Sequence, residues 1–186
     1  MRKKNLEEYK GIAIYAQQVD GTISPITLEL LGKAQELAQD LDEKKVTAIL
    51  IGSDVKGLVD ELGAYGADRV IVIDDSELKD YRTEPYTQAL AGAIEEFKPE
   101  TVLVGATAIG RDLGPRTSAR VETGLTADCT KLEIGDYPLV AIPNQEQKHK
   151  QLLMTRPAFG GNTIATIACP NNRPQMATVR PGVMQK

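Results

Sequence analysis

The chain is poor in the residues that usually carry catalysis or bind metals. Its 186 residues include no tryptophan, two cysteines and one histidine, His149, which lies in a polar run of Gln and Lys. We expect His149 to be solvated and the chain to hold no metal site. Cys129 and Cys169 lack a paired spacing, so reduced thiols in a cytoplasmic protein are favoured over a disulfide. Asp74-Asp75 could hold a cation but more readily caps the next turn.

Other absences exclude whole classes of protein. No apolar stretch approaches the roughly 20 residues that span a bilayer, and the start of the chain lacks the apolar core of a signal peptide. The net charge of −4, without a basic patch, argues against nucleic acid as a partner. The nucleophile and dinucleotide motifs of common enzymes are missing. Whether the chain has enzymatic activity stays open, because a redox role would need a cofactor that other parts help to hold.

Four short runs rich in Ile and Val predict strands that are buried on both faces of a parallel sheet. Apolar residues recur at helical spacing between these runs. Ser24-Pro25 predicts the start of one helix, and Lys98-Pro99 predicts the end of another. The alternation predicts an α/β, layered, Rossmann-like fold with a mostly parallel sheet flanked by helices. The predicted strands are Gly11–Ala16, Val46–Gly52, Arg69–Asp74 and Thr101–Ala106.

The last third of the sequence has a different pattern, without a clear amphipathic helix from Asp128 onward. Three short apolar segments separated by turn residues predict antiparallel hairpins added at the edge of the sheet. They are Leu132–Ile134, Leu152–Met154 and Thr163–Ala168. We expect an α/β domain over residues 9–170, an N-terminal tail over residues 1–8 and a proline-punctuated C-terminal tail over residues 171–186.

The segment Gly105-Ala-Thr-Ala-Ile-Gly110 has the glycine spacing of a phosphate-binding loop. Arg111 and Asp112 then stand where such a loop needs Lys and Ser or Thr. We expect Asp112 to satisfy the helix N-terminus itself and to repel a phosphate, which argues against ATP hydrolysis. Two interpretations stay open: a tight strand-to-helix turn with a self-capped helix, or a surface where Arg111 and Arg116 meet a partner chain.

The most unusual segment runs from Met154 to Asn162, with the sequence Met-Thr-Arg-Pro-Ala-Phe-Gly-Gly-Asn. Pro157 restricts Arg156 to an extended backbone, and the glycine pair allows another group to approach closely. One interpretation is an edge strand that ends in a glycine hairpin with a solvated arginine. The other is an arginine held rigidly at the edge of a ligand, where the glycines admit a flat ring.

Four segments together resemble the alpha subunit of electron-transfer flavoproteins: Gly105–Arg116, Thr123–Cys129, Thr155–Asn162 and Met176–Gly182. The resemblance extends over the chain from Tyr9 onward. It implies an adenine-nucleotide-alpha-hydrolase-like fold that pairs with a beta subunit. It also implies electron transfer between a flavin-dependent dehydrogenase, such as an acyl-CoA dehydrogenase, and other redox carriers, with electron bifurcation in some members.

In the family that the chain resembles, a C-terminal alpha domain carries one FAD, and the beta subunit holds AMP or a second FAD. This chain ends at Lys186, where that alpha domain would begin, so we expect FAD to be shared with beta or bound by the missing domain, and none on the isolated chain. The resemblance implies that Arg156 reaches the beta-side flavin. The full predicted cofactor-binding set is Arg156, Pro157, Phe159, Gly160, Gly161 and Asn162, with no catalytic residue.

Two other functions remain as alternatives to this redox role. A free-standing nucleotide-binding sensor module of the same fold class would bind ATP or AMP without a partner. A metal- or phosphate-dependent hydrolase is disfavoured by Asp112. In the favoured hypothesis, Arg111 and Arg116 belong to the interface with the beta subunit.

Overall fold

A computed structural model describes residues 5–140, 143, 146–158 and 163–185. The first half alternates strands and helices: β1 (Ile12–Ala16), β2 (Gln18–Val19), β3 (Thr22–Ile23), α1 (Pro25–Ala38), β4 (Val46–Gly52), α2 (Val59–Ala64), β5 (Arg69–Asp74) and α3 (Thr83–Phe97). The second half contains β6 (Thr101–Gly105), α4 (Ala108–Arg120), β7 (Leu125–Cys129), β8 (Lys131–Tyr137), β9 (Lys148–Pro157), β10 (Ile164–Ile167) and β11 (Gln175–Val179). Single 3₁₀ turns occupy Leu6–Glu8, Lys56–Leu58 and Ser76–Leu78.

Six strands form the main sheet in the order β5-β4-β1-β6-β11-β7, and all of their pairings are parallel. The predicted α/β fold with a mostly parallel sheet is therefore confirmed. The four strands expected from the Ile- and Val-rich runs form with their ends within one residue of the prediction. Asp75 caps the turn after β5 by accepting a hydrogen bond from the Glu77 amide, as the capping interpretation of Asp74-Asp75 predicts.

The main sheet is the middle of three layers. Helices α1 and α2, together with the smaller sheet, cover one face, and the buried side chains there include Leu30, Leu62 and Leu152. Helices α3 and α4 cover the other face, where Leu90 and Leu113 are fully buried. Burial on both faces explains the unbroken apolar runs of β1 and β4.

The last third differs from its prediction in two respects. Strands β8, β9 and β10 pair antiparallel, but they form their own three-stranded sheet instead of extending the edge of the main sheet. Strand β11 lies between β6 and β7, and all five of its residues are buried. The sheet thus extends beyond residue 170, into the interval 171–186 that the sequence pattern presents as a tail.

Residues that follow β11 are attached to helix α1 by one buried carboxylate. Glu29, which is 6% exposed, accepts hydrogen bonds from the backbone amides of Gly182 at 2.9 Å and Met184 at 3.4 Å. Burial of a carboxylate costs free energy unless its oxygens accept hydrogen bonds, and these two amides donate such bonds. The segment after β11 is therefore anchored on α1.

We predict that Glu29→Ala lowers the free energy of unfolding by about 2 kcal/mol, because charged hydrogen bonds to two amides are lost. Urea unfolding measures the stability, and hydrogen exchange at Gly182 and Met184 should accelerate in the variant. Glu36→Ala is the matched control, since Glu36 lies on the same helix but is exposed and pairs with Lys33. Unchanged exchange at the two amides would contradict the anchoring role.

Candidate functional site

The carboxyl ends of β6, β11 and β7 meet at one edge of the main sheet and bring together residues from distant parts of the sequence. Thr107 and Arg111 follow β6, Arg180 follows β11, and Asp128 lies near the end of β7. Backbone hydrogen bonds join the three strand ends: the Ala106 amide donates to the Val179 carbonyl, and the Arg180 amide donates to the Cys129 carbonyl. In open α/β sheets this edge is where ligands bind.

The two glycines at the end of β6 and the start of α4 let helices pack closely against this strand, α1 at Gly105 and α4 at Gly110. A Cβ atom on Gly110 would lie 1.7 Å from the Gly105 carbonyl oxygen, and one on Gly105 would lie 2.6 Å from a side-chain carbon of Ile26. Thr107 caps α4, because its hydroxyl accepts a hydrogen bond from the Gly110 amide and donates one to Gln17. The tight-turn interpretation of this loop therefore accounts for Gly110, while close packing of α1 accounts for Gly105.

The expectation that Asp112 caps α4 is wrong. Its carboxylate accepts hydrogen bonds from the hydroxyl groups of Tyr81 and Thr83. Tyr81 lies just before α3, and Thr83 is the first residue of α3. These hydrogen bonds, the Thr83 bond first, hold the pKa of Asp112 below its usual value. Asp112 lies on the second turn's exposed side, so the cap comes from Thr107 instead. Arg116, one turn further along α4, is also exposed.

Asp128 occupies a local irregularity of β7. Its φ is +60°, and the register between β7 and β11 shifts at this point, so one extra residue bulges from the strand. The Asp128 amide donates to the Thr178 hydroxyl at 2.8 Å, which fixes the bulge from the neighbouring strand. Bulges commonly turn a side chain toward a site at the rim of a sheet. Here the bulge carries the only acidic side chain of β7.

Two arginines lie against the Asp128 carboxylate, and the charge of a third, Arg156, also acts on it. Arg180 donates from two nitrogens, at 3.2 Å and 2.6 Å, in the fork geometry that favours arginine–carboxylate pairs. An Arg111 nitrogen lies 3.7 Å from Asp128 Oδ1, while Arg111 Nε donates to the Ala106 carbonyl. Arg156 adds a further electrostatic interaction with Asp128. We call Arg111, Arg156, Arg180 and Asp128 the arginine cluster.

The ionisation of two neighbouring groups follows from this arrangement. The hydrogen bond from Arg180, followed by the charges of Arg180, Arg111 and Arg156, holds the pKa of Asp128 below its usual value despite partial burial. Burial raises the pKa of the adjacent Cys129 thiol to about 12, and the Arg156 charge opposes that shift only partly. Asp128 is therefore charged at neutral pH, whereas Cys129 is a neutral thiol that belongs to the core.

The structure places Arg156 near the end of β9, where it pairs with Ala165 of β10. Its backbone is extended, as Pro157 requires, and its side chain is partly exposed on the same side of the molecule as Asp128. Sequence reasoning selected Arg111 and Arg156 separately, and the fold brings both to the arginine cluster. The predicted residues Phe159, Gly160, Gly161 and Asn162 lie outside the described residues.

Sequence reasoning missed Asp128 and Arg180 as site residues. Two sequence features could have indicated them. In Thr123–Cys129 a charged residue interrupts a short strand, and Arg180-Pro181 directly follows β11. Neither pattern is specific without knowledge that β11 and β7 are neighbours. Within the described ranges, no three His, Cys, Asp or Glu side chains form a group that could hold a metal ion. No helix in this part of the chain is long and apolar enough to cross a bilayer.

Comparison with known proteins agrees with this architecture. The electron transfer flavoprotein domain family matches residues 12–186. The chain belongs to this family. Among curated relatives, Protein FixB of Clostridium saccharobutylicum is 49% identical over 98% of the chain, and the electron transfer flavoprotein subunit alpha of Clostridium acetobutylicum is 46% identical over the same share. In both cases the match covers 51% of the relative, so the chain spans about half of their length.

Relatives named as parts of specific redox complexes also match this electron transfer flavoprotein domain. The acryloyl-CoA reductase electron transfer subunit beta of Anaerotignum propionicum is 44% identical over 98% of the chain and 52% of the relative. The LctC subunit of a lactate dehydrogenase (NAD(+),ferredoxin) from Acetobacterium woodii is 46% identical over 92% of the chain and 38% of the relative. The predicted resemblance to the alpha subunit is therefore confirmed.

We predict that Gly110→Ala lowers the free energy of unfolding by about 3 kcal/mol, because its Cβ would collide with the fixed Gly105 carbonyl. Gly92→Ala is the matched control, since Gly92 is also helical but has open space around its Cβ position. That substitution should raise stability by up to about 1 kcal/mol, as alanine favours helix over glycine. Equal stability of Gly110→Ala and the wild type in urea would contradict the close contact between α4 and β6.

Proposed function

We propose that this domain pairs with an electron transfer flavoprotein beta subunit and completes a flavin site at the boundary between the two chains. The flavin is FAD, and the assembly passes electrons between a flavin-dependent dehydrogenase, such as an acyl-CoA dehydrogenase, and other redox carriers in the cytoplasm. Membership of the family supports the electron-transfer role. The observation that carries the proposal is the pairing of Arg180 and Arg111 with Asp128 at the carboxyl edge of the sheet, where the charge of Arg156 also acts on that carboxylate.

The charge of this edge suits a reduced flavin. Flavin supplies the redox chemistry, because its ring accepts and releases electrons, and at neutral pH the reduced ring is an anion. Arg180 and Arg111 pair with one carboxylate, and the charge of Arg156 also acts on it, so the arginine cluster carries a net positive charge. Arg180 donates two hydrogen bonds to Asp128, and Arg111 donates to the Ala106 carbonyl, whereas Arg156 interacts with Asp128 through charge. The guanidinium of Arg156 is therefore the one that we propose turns toward a partner.

The backbone around Arg156 limits how far its side chain can move. Pro157 restricts the preceding residue to an extended conformation, and pairing with Ala165 of β10 fixes the strand. The neighbouring Thr155 and Thr166 hydroxyls are 3.1 Å apart and link the same two strands. We propose Pro157 and the following residues Phe159, Gly160, Gly161 and Asn162 as the remaining contacts of the flavin ring.

Exposed apolar side chains on the small sheet and directly after its strand β8 support a protein partner. Ile164 of β10 is 72% exposed and Val140, three residues after β8, is 77% exposed, whereas isolated exposed apolar residues elsewhere on the described surface are less accessible. Ile167 of β10 and Leu139, next to Val140, are also exposed. Exposed apolar patches often mark protein–protein interaction sites, because covering apolar surface with a partner is favourable. We propose that the beta subunit covers them and also contacts Arg111 and Arg116.

The experiment combines the chain with a beta subunit and FAD and compares wild type with Arg156→Ala. A guanidinium hydrogen bond to a charged group contributes about 1.5–3 kcal/mol, and about 1.4 kcal/mol corresponds to 59 mV for one electron. We therefore predict that Arg156→Ala lowers the potential of the beta-side flavin by roughly 60–130 mV, measured by spectroelectrochemistry. Arg156→Lys should recover only part of the loss, because lysine lacks the planar fork.

Arg120→Ala is the control for loss of one arginine, since Arg120 lies at the other end of α4 and pairs with Glu84. An unchanged flavin potential in Arg156→Ala would remove the proposed role of Arg156. Binding of ATP or AMP by the isolated chain, together with failure to pair with a beta subunit, would instead favour the nucleotide-sensor alternative.

A further inference from the structure

The arginine cluster contains one acidic residue whose position is not explained by stability. The Asp128 side chain is 27% exposed and that of Arg180 is 44% exposed, and ion pairs at such exposure contribute little to folding. Asp128 nevertheless adopts a φ of +60°, a conformation that residues other than glycine rarely take. The strand bulge and the Thr178 hydroxyl keep it there. Backbone strain that surrounding structure maintains is most often found at functional sites.

The effect of Asp128 on the cluster is to reduce its charge. Without the carboxylate, three guanidinium groups would stand at this edge uncompensated; with it, two net positive charges remain. Arg180 is the arginine that Asp128 neutralises most directly, through two hydrogen bonds. Arg111 is held less closely, at 3.7 Å, and Arg156 interacts through charge. The carboxylate thus sets the strength of the positive field that reaches beyond the sheet edge.

We propose that Asp128 is a charge-compensating residue that holds the potential of the partner's flavin below the value that the three arginines alone would give. This inference rests on the proposed function, because it requires a flavin near the carboxyl edge. Removing the carboxylate strengthens the positive field and stabilises the anionic reduced flavin. Loss of Asp128 therefore shifts the flavin potential in the opposite direction to loss of Arg156.

The experiment uses the chain assembled with a beta subunit and FAD. Asp128→Asn removes the charge and keeps one acceptor for Arg180, and asparagine tolerates a positive φ. We expect the preference for reduced over oxidised flavin to rise at least threefold, which is about 30 mV for a one-electron step. Asp128→Glu keeps the charge, so its flavin potential should lie closer to that of the wild type than the potential of Asp128→Asn does.

Two further variants separate charge from folding. Asp128→Gly suits the positive φ without carrying a charge, so it should raise the potential even where Asp128→Asn folds poorly. Asp42→Asn is the matched control, because it removes one ion-paired carboxylate at a distance from the arginine cluster. Asp42 pairs with Lys150 and lies in the loop before β4, at the opposite edge of the sheet. Since the cluster is partly exposed, the effect of Asp128→Asn should also shrink as salt rises from 0.1 M to about 1 M.

The outcomes distinguish this inference from the proposed function. The compensating role is supported if Asp128→Asn and Asp128→Gly both raise the flavin potential while Asp42→Asn leaves it unchanged. If Arg156→Ala lowers the potential but the uncharged Asp128 variants leave it unchanged or lower it, the inference is overturned and the proposed function stands. If Arg156→Ala has no effect while the Asp128 variants raise the potential, the field acts as proposed but the Arg156 contact fails. No shift in any variant overturns both.

Discussion

The site depends on a buried strand that enters the main sheet from the far end of the chain. Strand β11 pairs with β6 and β7, which are separated from it by some 50 to 70 residues of sequence, and ties their carboxyl ends together through backbone hydrogen bonds. This insertion places Arg180 beside Asp128 and directs both toward the loop after β6. Without it, the arginines would lie on unrelated parts of the surface. The backbone pairing of the parallel strands thus determines which side chains are neighbours at the site.

Much of the fold follows from local pattern. Strands β1, β4, β5 and β6 are short runs rich in Ile and Val. Burial of β1, β4 and β6 on both faces is typical of a parallel sheet, whereas β5 lies at the edge and is only partly buried. The small antiparallel strands are also visible in the sequence. Strands β7 and β11 are not, because Leu125–Cys129 contains Ala and Asp and Gln175–Val179 contains Gln and Ala instead of a run of Ile and Val. These strands form because of long-range pairing, which outweighs their weak local preference.

The candidate site was only partly predictable for the same reason. Arg156 stands out through its proline and glycine neighbours, and Arg111 through its place after a glycine turn. The carboxylate that organises them could not be chosen from the sequence, since Asp128 lies in a strand that the sequence does not predict, whereas Asp112 directly follows the glycine turn and Arg111. The structure decides between them: Asp112 accepts bonds from Tyr81 and Thr83, while Asp128 meets the arginines. Which acid joins the arginines depends on the strand order.

These observations describe a domain whose own chemistry is electrostatic. Its sheet edge carries arginines around one carboxylate, and its small sheet exposes apolar side chains. The most direct test of this account is a crystal structure of the chain assembled with its beta subunit and FAD. The account predicts that the guanidinium of Arg156 lies within hydrogen-bonding distance of a flavin ring that the partner holds. An Arg156 side chain in bulk solvent, remote from every flavin ring, would contradict it.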